Sequence, residues 1–394
     1  MTRQRNSEGL KRVGTLVLVL VGVLLLSLLR VACRQTKTHA RAPEIDSKNL
    51  KQTVILATLD CPLPEHKNAI WCSTFQMAWD KLKQDIIGEP IQVPAAQELA
   101  DRLNRSQFPA GSIEEKSYYA VAGFVKDGVV EQIRKDMAKR FPQEPVPIFD
   151  KKYTTLPDVI AAYAFLNVSI EFEHPFYTYL EGFYFADSAG KSTRVTAFCG
   201  HSAKPNSNTE RVRNQVEVLY HEDRRSPQGE QFAVDLCRQT QPYQVILARL
   251  PRCGTFGESV RVLRESIAAF ERNPDYETLR KLRPGDSLIV PDVLYRLTHH
   301  FDDLLGKHLG NPKWSDIFIF EAMQRIDFTL SRTGVVVRSW SLFEAKSAVP
   351  RCLEFDRPFL ICVRKREPNA TPFFLMWVDN AELMKPYETG GKRS

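Results

Sequence analysis

The chain lacks the short motifs that announce most enzyme chemistry. It has no GxSxG nucleophile turn, no phosphate-cradling GxxxxGK[ST], no HExxH and no GxGxxG after a strand-like run. Acyl transfer, nucleotide hydrolysis, zinc proteolysis and dinucleotide binding are therefore not indicated by any motif. Its eight cysteines, at positions 33, 61, 72, 199, 237, 253, 352 and 362, include no CxxC pair and no zinc-like spacing. Internal repeats and long low-complexity tracts are also missing. The formal charge of +7 is spread along the chain. No element interleaves basic residues with aromatics, so no nucleic-acid site is expected. No enzyme, cofactor or metal site is expected either. The one metal-like cluster, His299-His300 with Asp302-Asp303, reads as a solvated helix on which His299 and Asp303 share a face.

What is present describes an ordered globular protein with an unusual start. The 394 residues are 43% hydrophobic, enough for one large core or two modest ones. Residues 13–29 form an apolar run without a charge. As a helix this run would rise roughly 26 Å, close to the ~30 Å of a hydrocarbon core. Val31, Ala32 and Cys33 extend it while Arg30 can snorkel. The expectation is a short basic cytoplasmic tail over 1–12, a single-pass signal anchor over 13–33 and a polar linker over 34–50. A folded domain over 51–394 then lies outside the cytoplasm; the alternative is secretion or lipid anchoring after signal cleavage. Cys72, Cys237 and Cys362 lie in apolar surroundings, as small hydrophobes. Cys61, Cys253 and Cys352 lie in probable loops, where a pair could form a disulfide.

The last fifty residues carry the strongest pattern. Pro358 cannot donate to a ladder and belongs at a strand entrance. Phe359 to Val363 is apolar on both parities, as in a strand covered on both faces. A charged turn, Arg364 to Asn369, then leads into the second apolar run, Phe373 to Val378, so a buried hairpin is predicted. The stretch Phe355-Asp356-Arg357-Pro358-Phe359 resembles the C-terminal signature of the serpins.

Further stretches resemble serpin landmarks in the family's order, across most of 68–380. Residues 68–79 are similar to an early strand and helix, with Cys72 near the family's Ser. Residues 160–176 resemble a central strand ending in Trp-x-x-Pro-Phe, with Phe172 in the Trp position at the top of the sheet. Residues 184–198 have the form of a hairpin turning at Gly190. Residues 232–251 resemble a barrel-like hairpin, 287–310 a strand followed by a short helix, and 322–334 the strand that leads to a hinge glycine. The resemblance implies an α+β fold. A large central mixed or antiparallel sheet would be packed with helices and joined by a second, smaller barrel-like sheet.

It also implies a function carried by a loop, here 334–352. Inhibitory serpins offer such a loop to a serine protease, which cuts it and is held as the cut loop inserts into the main sheet. Gly334 matches the hinge glycine. The family follows that glycine with Thr or Ser and small residues, whereas this chain has Val335, Val336, Val337, Arg338, Ser339 and Trp340. In a strand, Val335, Val337 and Ser339 would share one face, so buried charge does not forbid insertion. β-Branched valines stiffen the hinge. Two readings stand: a serine-protease inhibitor, and a non-inhibitory binding or structural protein that kept the fold. The best placed bait bond is Lys346-Ser347, which suits a trypsin-like enzyme with an acidic specificity pocket; Arg351 is second. The protein is expected to be a monomer.

Overall fold

The alternation of buried and exposed side chains builds three β-sheets. The computed structural model describes residues 44–147, 149, 159–170, 172–201, 207–222, 230–332 and 350–388. The first sheet contains β1 (Glu44–Asp46), β12 (Val293–His300), β14 (Phe318–Leu330), β5 (Val159–Ser169) and β4 (Tyr118–Phe124) in that order, with β13 (Lys307–His308) beside β14. The second runs β2 (Thr53–Leu56), β3 (Asn68–Cys72), β17 (Phe374–Val378), β16 (Phe359–Lys365), β10 (Tyr243–Arg249), β9 (Phe232–Asp235) and β8 (Glu217–His221). The third runs β15 (Cys352–Glu354), β11 (Ser287–Pro291), β7 (Ser192–Cys199) and β6 (Tyr177–Ala186). The fold is thus α+β with mixed sheets. The second sheet has seven strands and is not the smaller partner expected, because the C-terminal hairpin joins two further groups of strands.

Helices cover the first sheet on both sides. On one side lies α1 (Ser73–Lys81), whose Phe75, Ala78 and Trp79 are buried, next to α2 (Gln97–Arg105). On the other lies α3 (Val129–Arg140), which buries Val130, Ile133 and Met137. Between them β5 sorts its side chains by parity: Ile160, Ala164 and Leu166 join the main core, while Ala161, Tyr163 and Phe165 pack with α3. That is the period-two signature of a strand buried on both faces. Elsewhere α4 (Ser207–Asn214) precedes β8, and α5 (Phe256–Glu271) starts at Thr255, whose side chain accepts from Glu258 N at 3.1 Å.

The expected hairpins are present. β16 and β17 pair antiparallel from Phe359↔Val378 to Val363↔Phe374. β6 and β7 turn at Gly190, whose φ of +83° favours glycine. β9 and β10 pair as the 232–251 hairpin. The helix expected near His299 is absent, because Val293, Tyr295 and Leu297 alternate as buried positions and form β12. The linker also ends earlier than expected. Residues 44–46 pair in parallel with Arg296 to Thr298, so the sheet begins at Glu44. The expected anchor over 13–33 lies outside the described residues; among those described, no helix is long and apolar enough to cross a membrane. No disulfide joins the described cysteines, and Cys72, Cys237 and Cys362 are buried, as expected.

One polar side chain ties the start of β3 to the end of its neighbour β17 in the second sheet. Asn68 is fully buried at the start of β3. Its Oδ1 accepts from Asp379 N at 2.8 Å and Asn380 N at 2.9 Å, while Nδ2 donates to Asn380 Oδ1 at 2.9 Å. Asn68→Ala would strand two buried N–H groups. It should cost about 3 kcal/mol, seen as a lower urea midpoint with an unchanged slope.

Candidate functional site

The site implied by the sequence lies where β14 leaves the first sheet and β15 enters the third. Gly334, Val335, Val337, Ser339, Lys346 and Ser347 lie outside the described residues. The two ends of that interval and the sheet beside it are described.

Upstream, β14 runs parallel to β5 and pairs with it at eleven positions, from Phe318↔Val159 to Thr329↔Ser169. The outer neighbours are antiparallel: β12 pairs with β14, and β4 with β5. Gln324, fully buried in the middle of β14, donates from Nε2 to Thr74 Oγ1 at 2.9 Å and to the Cys72 carbonyl at 3.2 Å. It therefore ties β14 to the first turn of α1. On the opposite side, Arg325 donates to the Pro145 carbonyl at 2.9 Å, and Arg296 of β12 pairs with Glu144 at 2.8 Å.

At the end of β14, Leu330 is buried and Arg332 donates to Thr178 Oγ1. Phe172, expected at the top of the sheet, follows β5. It stacks edge-on against Phe176 at 4.8 Å and lies 6.1 Å from Phe198, forming an aromatic cap. The phenyl ring fills this place without a polar atom to satisfy.

Downstream, Arg351 overturns one expectation. It was the second candidate for the bait residue, yet it is 5% exposed and held by Asp286. Its Nη2 lies 2.6 Å from Asp286 Oδ2, and its guanidinium also donates to the Leu279 and Lys281 carbonyls, each at 2.6 Å. Burial pushes the Asp286 carboxyl up, but the Arg351 hydrogen bonds prevail and hold it below the usual carboxylate range. A protease cannot take this side chain into a specificity pocket while the pair stands, so Arg351 is an anchor for the start of β15. Its closeness to the following strand, which already placed it second, is the sequence signal of this anchoring.

The signature residues are structural. Asp356 accepts from Arg249 Nη1 at 3.0 Å, and Pro358 precedes β16. Phe355 and Phe359 are fully buried, 5.0 Å apart, and Phe355 lies 5.0 Å from Phe232. Arg357 is exposed.

The histidines do not assemble a metal centre: among the described residues no group of three potential ligands occurs. His299 bonds Ser47 Oγ through Nδ1 at 2.8 Å, and His300 bonds Glu321 at 2.9 Å. His221 pairs with Glu230 at 2.7 Å.

No protein-family model matches the chain, and no curated protein matches its sequence. Two solved serpin structures are similar to it. Native protease nexin-1 with heparin shares 11% identity at a TM-score of 0.44, covering 80% of this chain and 92% of that one. Serpin48, a highly specific serpin of the insect Tenebrio molitor, shares 10% identity at a TM-score of 0.44, covering 79% and 92%.

Two outcomes follow from this geometry. Arg351→Ala removes the closer of two cations from buried Asp286 and leaves Arg283 at 3.2 Å, and it should destabilise the domain by about 2 kcal/mol. Denaturant unfolding would measure it. Burial lowers the His299 pKa to about 4, helped by His300. The unfolded chain, with a histidine near 6.5, then binds more protons than the folded chain between about pH 6.5 and 4. Stability should fall as pH drops through that window, by up to about 3 kcal/mol. His299→Gln should remove most of that slope in unfolding curves taken across the range.

Proposed function

We propose that this protein is serpin-like and that the segment between β14 and β15 is bait for a trypsin-like serine protease. The observation that carries the reading is the parallel pair β14·β5 flanked on each side by an antiparallel pair, β12·β14 and β5·β4. A chain that turned back after β14 would run antiparallel to β14, and hence to β5 as well. Such a strand has two well-matched edges to join if the pair separates, which is strand addition within a sheet. Gly334 is the hinge, Lys346-Ser347 the bait bond, and Arg351 the fixed end on the far side. In this reading the domain is monomeric and extracytoplasmic, tethered to a membrane by residues 13–33. It holds no cofactor and does not act as an enzyme.

Val335, Val336 and Val337 favour the second reading, a non-inhibitory binding or structural protein with the same fold. The stiff hinge and the Gln324 tie would then keep β14 and β5 permanently paired.

Incubation of the purified protein with trypsin separates the two. Inhibition gives a covalent complex that survives a denaturing gel, with the protein cut after Lys346. Material cut there should melt higher by on the order of 10 °C or more, because a new strand has been added to the sheet. Cleavage without a complex and without a higher melting temperature would leave the second reading. A first cut elsewhere would remove the assignment of the bait.

A further inference from the structure

Residues 44–50 are fastened to the first sheet without being buried in it. None of the seven is buried, whereas Thr53 is, and Ile45 and Leu50 only lie against the core. β1 makes a ladder of three positions with β12, from Glu44↔Arg296 to Asp46↔Thr298. Ser47–Asn49 follow as one helical turn, closed by Leu50 N on the Ser47 carbonyl at 3.0 Å. Four side-chain contacts add to the ladder. Glu44 accepts from Thr298 Oγ1 at 2.7 Å and from Arg325 at 3.2 Å. Ser47 Oγ lies 2.8 Å from His299 Nδ1, and Lys48 pairs with Asp302 at 3.1 Å, where both are exposed. The next residues are held by a different sheet. Lys51 N and Gln52 N donate to Glu382 at 2.8 and 2.9 Å, and the Gln52 carbonyl accepts from Asn68 N at 2.8 Å. The border between lightly and firmly held chain therefore falls between residues 50 and 51.

His299 is the titratable group on β12 against which this segment lies. It shares the parity of Val293, Tyr295 and Leu297, so its ring turns to the core side. There it meets Phe301 at 4.6 Å, which stacks on Phe75 of α1 at 3.7 Å. Its register partner on β14 is Gln324, which carries no charge. Burial lowers the His299 pKa to about 4; His300 and Lys48 add to this, and Asp302 and Asp46 offset it only in part. His300 has its own partner, Glu321 of β14, at 2.9 Å.

A proton on this imidazole is costly while the ring is covered and costs little once water reaches it. Uncovered, the ring returns towards an ordinary histidine near 6.5. Two routes uncover it: the whole domain unfolds, or residues 44–50 alone lift away. The second gives up three ladder positions and four contacts and leaves the buried core in place, so it opens at the lower free energy. We propose that residues 44–50 are a strap, hinged between residues 50 and 51, that mild acid releases from β12 by protonating His299. The undocked form binds more protons between about pH 6.5 and 4, so docking is complete above that window and weakens as pH falls through it. Linkage sets the docking constant at pH 5.5 about tenfold below its value at pH 7.5. With residues 13–33 as the tether proposed above, release adds seven residues, about 24 Å when extended, between membrane and domain. That consequence rests on the tether; the release itself does not.

Backbone hydrogen exchange on the full chain at pH 7.5 and 5.5, both above the ordinary carboxylate range, tests the release. Rates are expressed as protection factors, which remove the intrinsic effect of pH. Amides within residues 45–50 that are protected at pH 7.5 should lose about tenfold in protection at pH 5.5, while those of β2 keep theirs. His299→Gln keeps a neutral polar side chain that does not titrate, and should abolish the loss. Ser47→Ala, at a position that is not buried, should lower protection of the same amides at both pH values and keep the tenfold step. An equal loss in β2 would mean that the domain opens as a whole, and would overturn the strap. Absence of protection in residues 45–50 at pH 7.5, a loss that persists in His299→Gln, or unchanged protection in Ser47→Ala would overturn it as well.

Discussion

The direct pairing of β14 with β5 is the constraint on which the rest of this molecule depends. The two strands run parallel at eleven positions, between neighbours that run antiparallel. A ladder of this kind has two stable conditions. Closed, each strand satisfies the other; opened by a third strand, each satisfies the newcomer. A half-open seam leaves unpaired backbone groups on both edges, and each such group is costly away from water. The individual bonds are modest in net worth, so what makes the seam two-state is the shared cost of leaving many groups unmet.

The seam is fastened on both faces by side chains, and this decides what an opening would require. Gln324 reaches from β14 into the first turn of α1 on one side. On the other, Arg325 and Arg296 reach the segment after α3 through Pro145 and Glu144. Both strands of the seam are buried on both faces, β5 through Ala164 and Tyr163 and β14 through Ala322 and Met323. These polar ties resist separation through geometry more than strength: each has to find a new partner or be left bare in a buried place. A sheet fastened in this way favours the closed state until a filling strand is at hand.

Much of this arrangement was legible in the sequence where one physical rule acted alone. Pro358 at a strand entrance, apolar runs on both parities at 359–363 and 373–378, and glycine at 190 each gave the correct element. The reading failed where two rules competed. His299 to Asp303 looked like a helix face because the spacing of four was weighed above the alternation of Val293, Tyr295 and Leu297. Glu44 to Asp46 looked like linker because a polar edge strand is recognised by the strand it joins, which is β12, some 250 positions away. Arg351 stood second as bait because a basic residue suits a trypsin-like enzyme, and its partner Asp286 is 65 positions distant.

The anchored position of Arg351 also bears on chain length. A strand able to fill the seam must match eleven paired positions, about 36 Å at ~3.3 Å per residue. The thirteen residues from Gly334 to Lys346 span about 43 Å when extended. In the proposed function a cut after Lys346 would therefore free enough chain to fill the seam, with little left over. Before the cut, the same residues are held at both ends, by β14 in the first sheet and by the Arg351-Asp286 pair in the third. Only a break between these anchors lets the upstream part travel the length of β5. In the proposed function the buried ion pair would be the fixed end of the interval, and it leaves Arg338 and Lys346 as the basic residues between the two anchors.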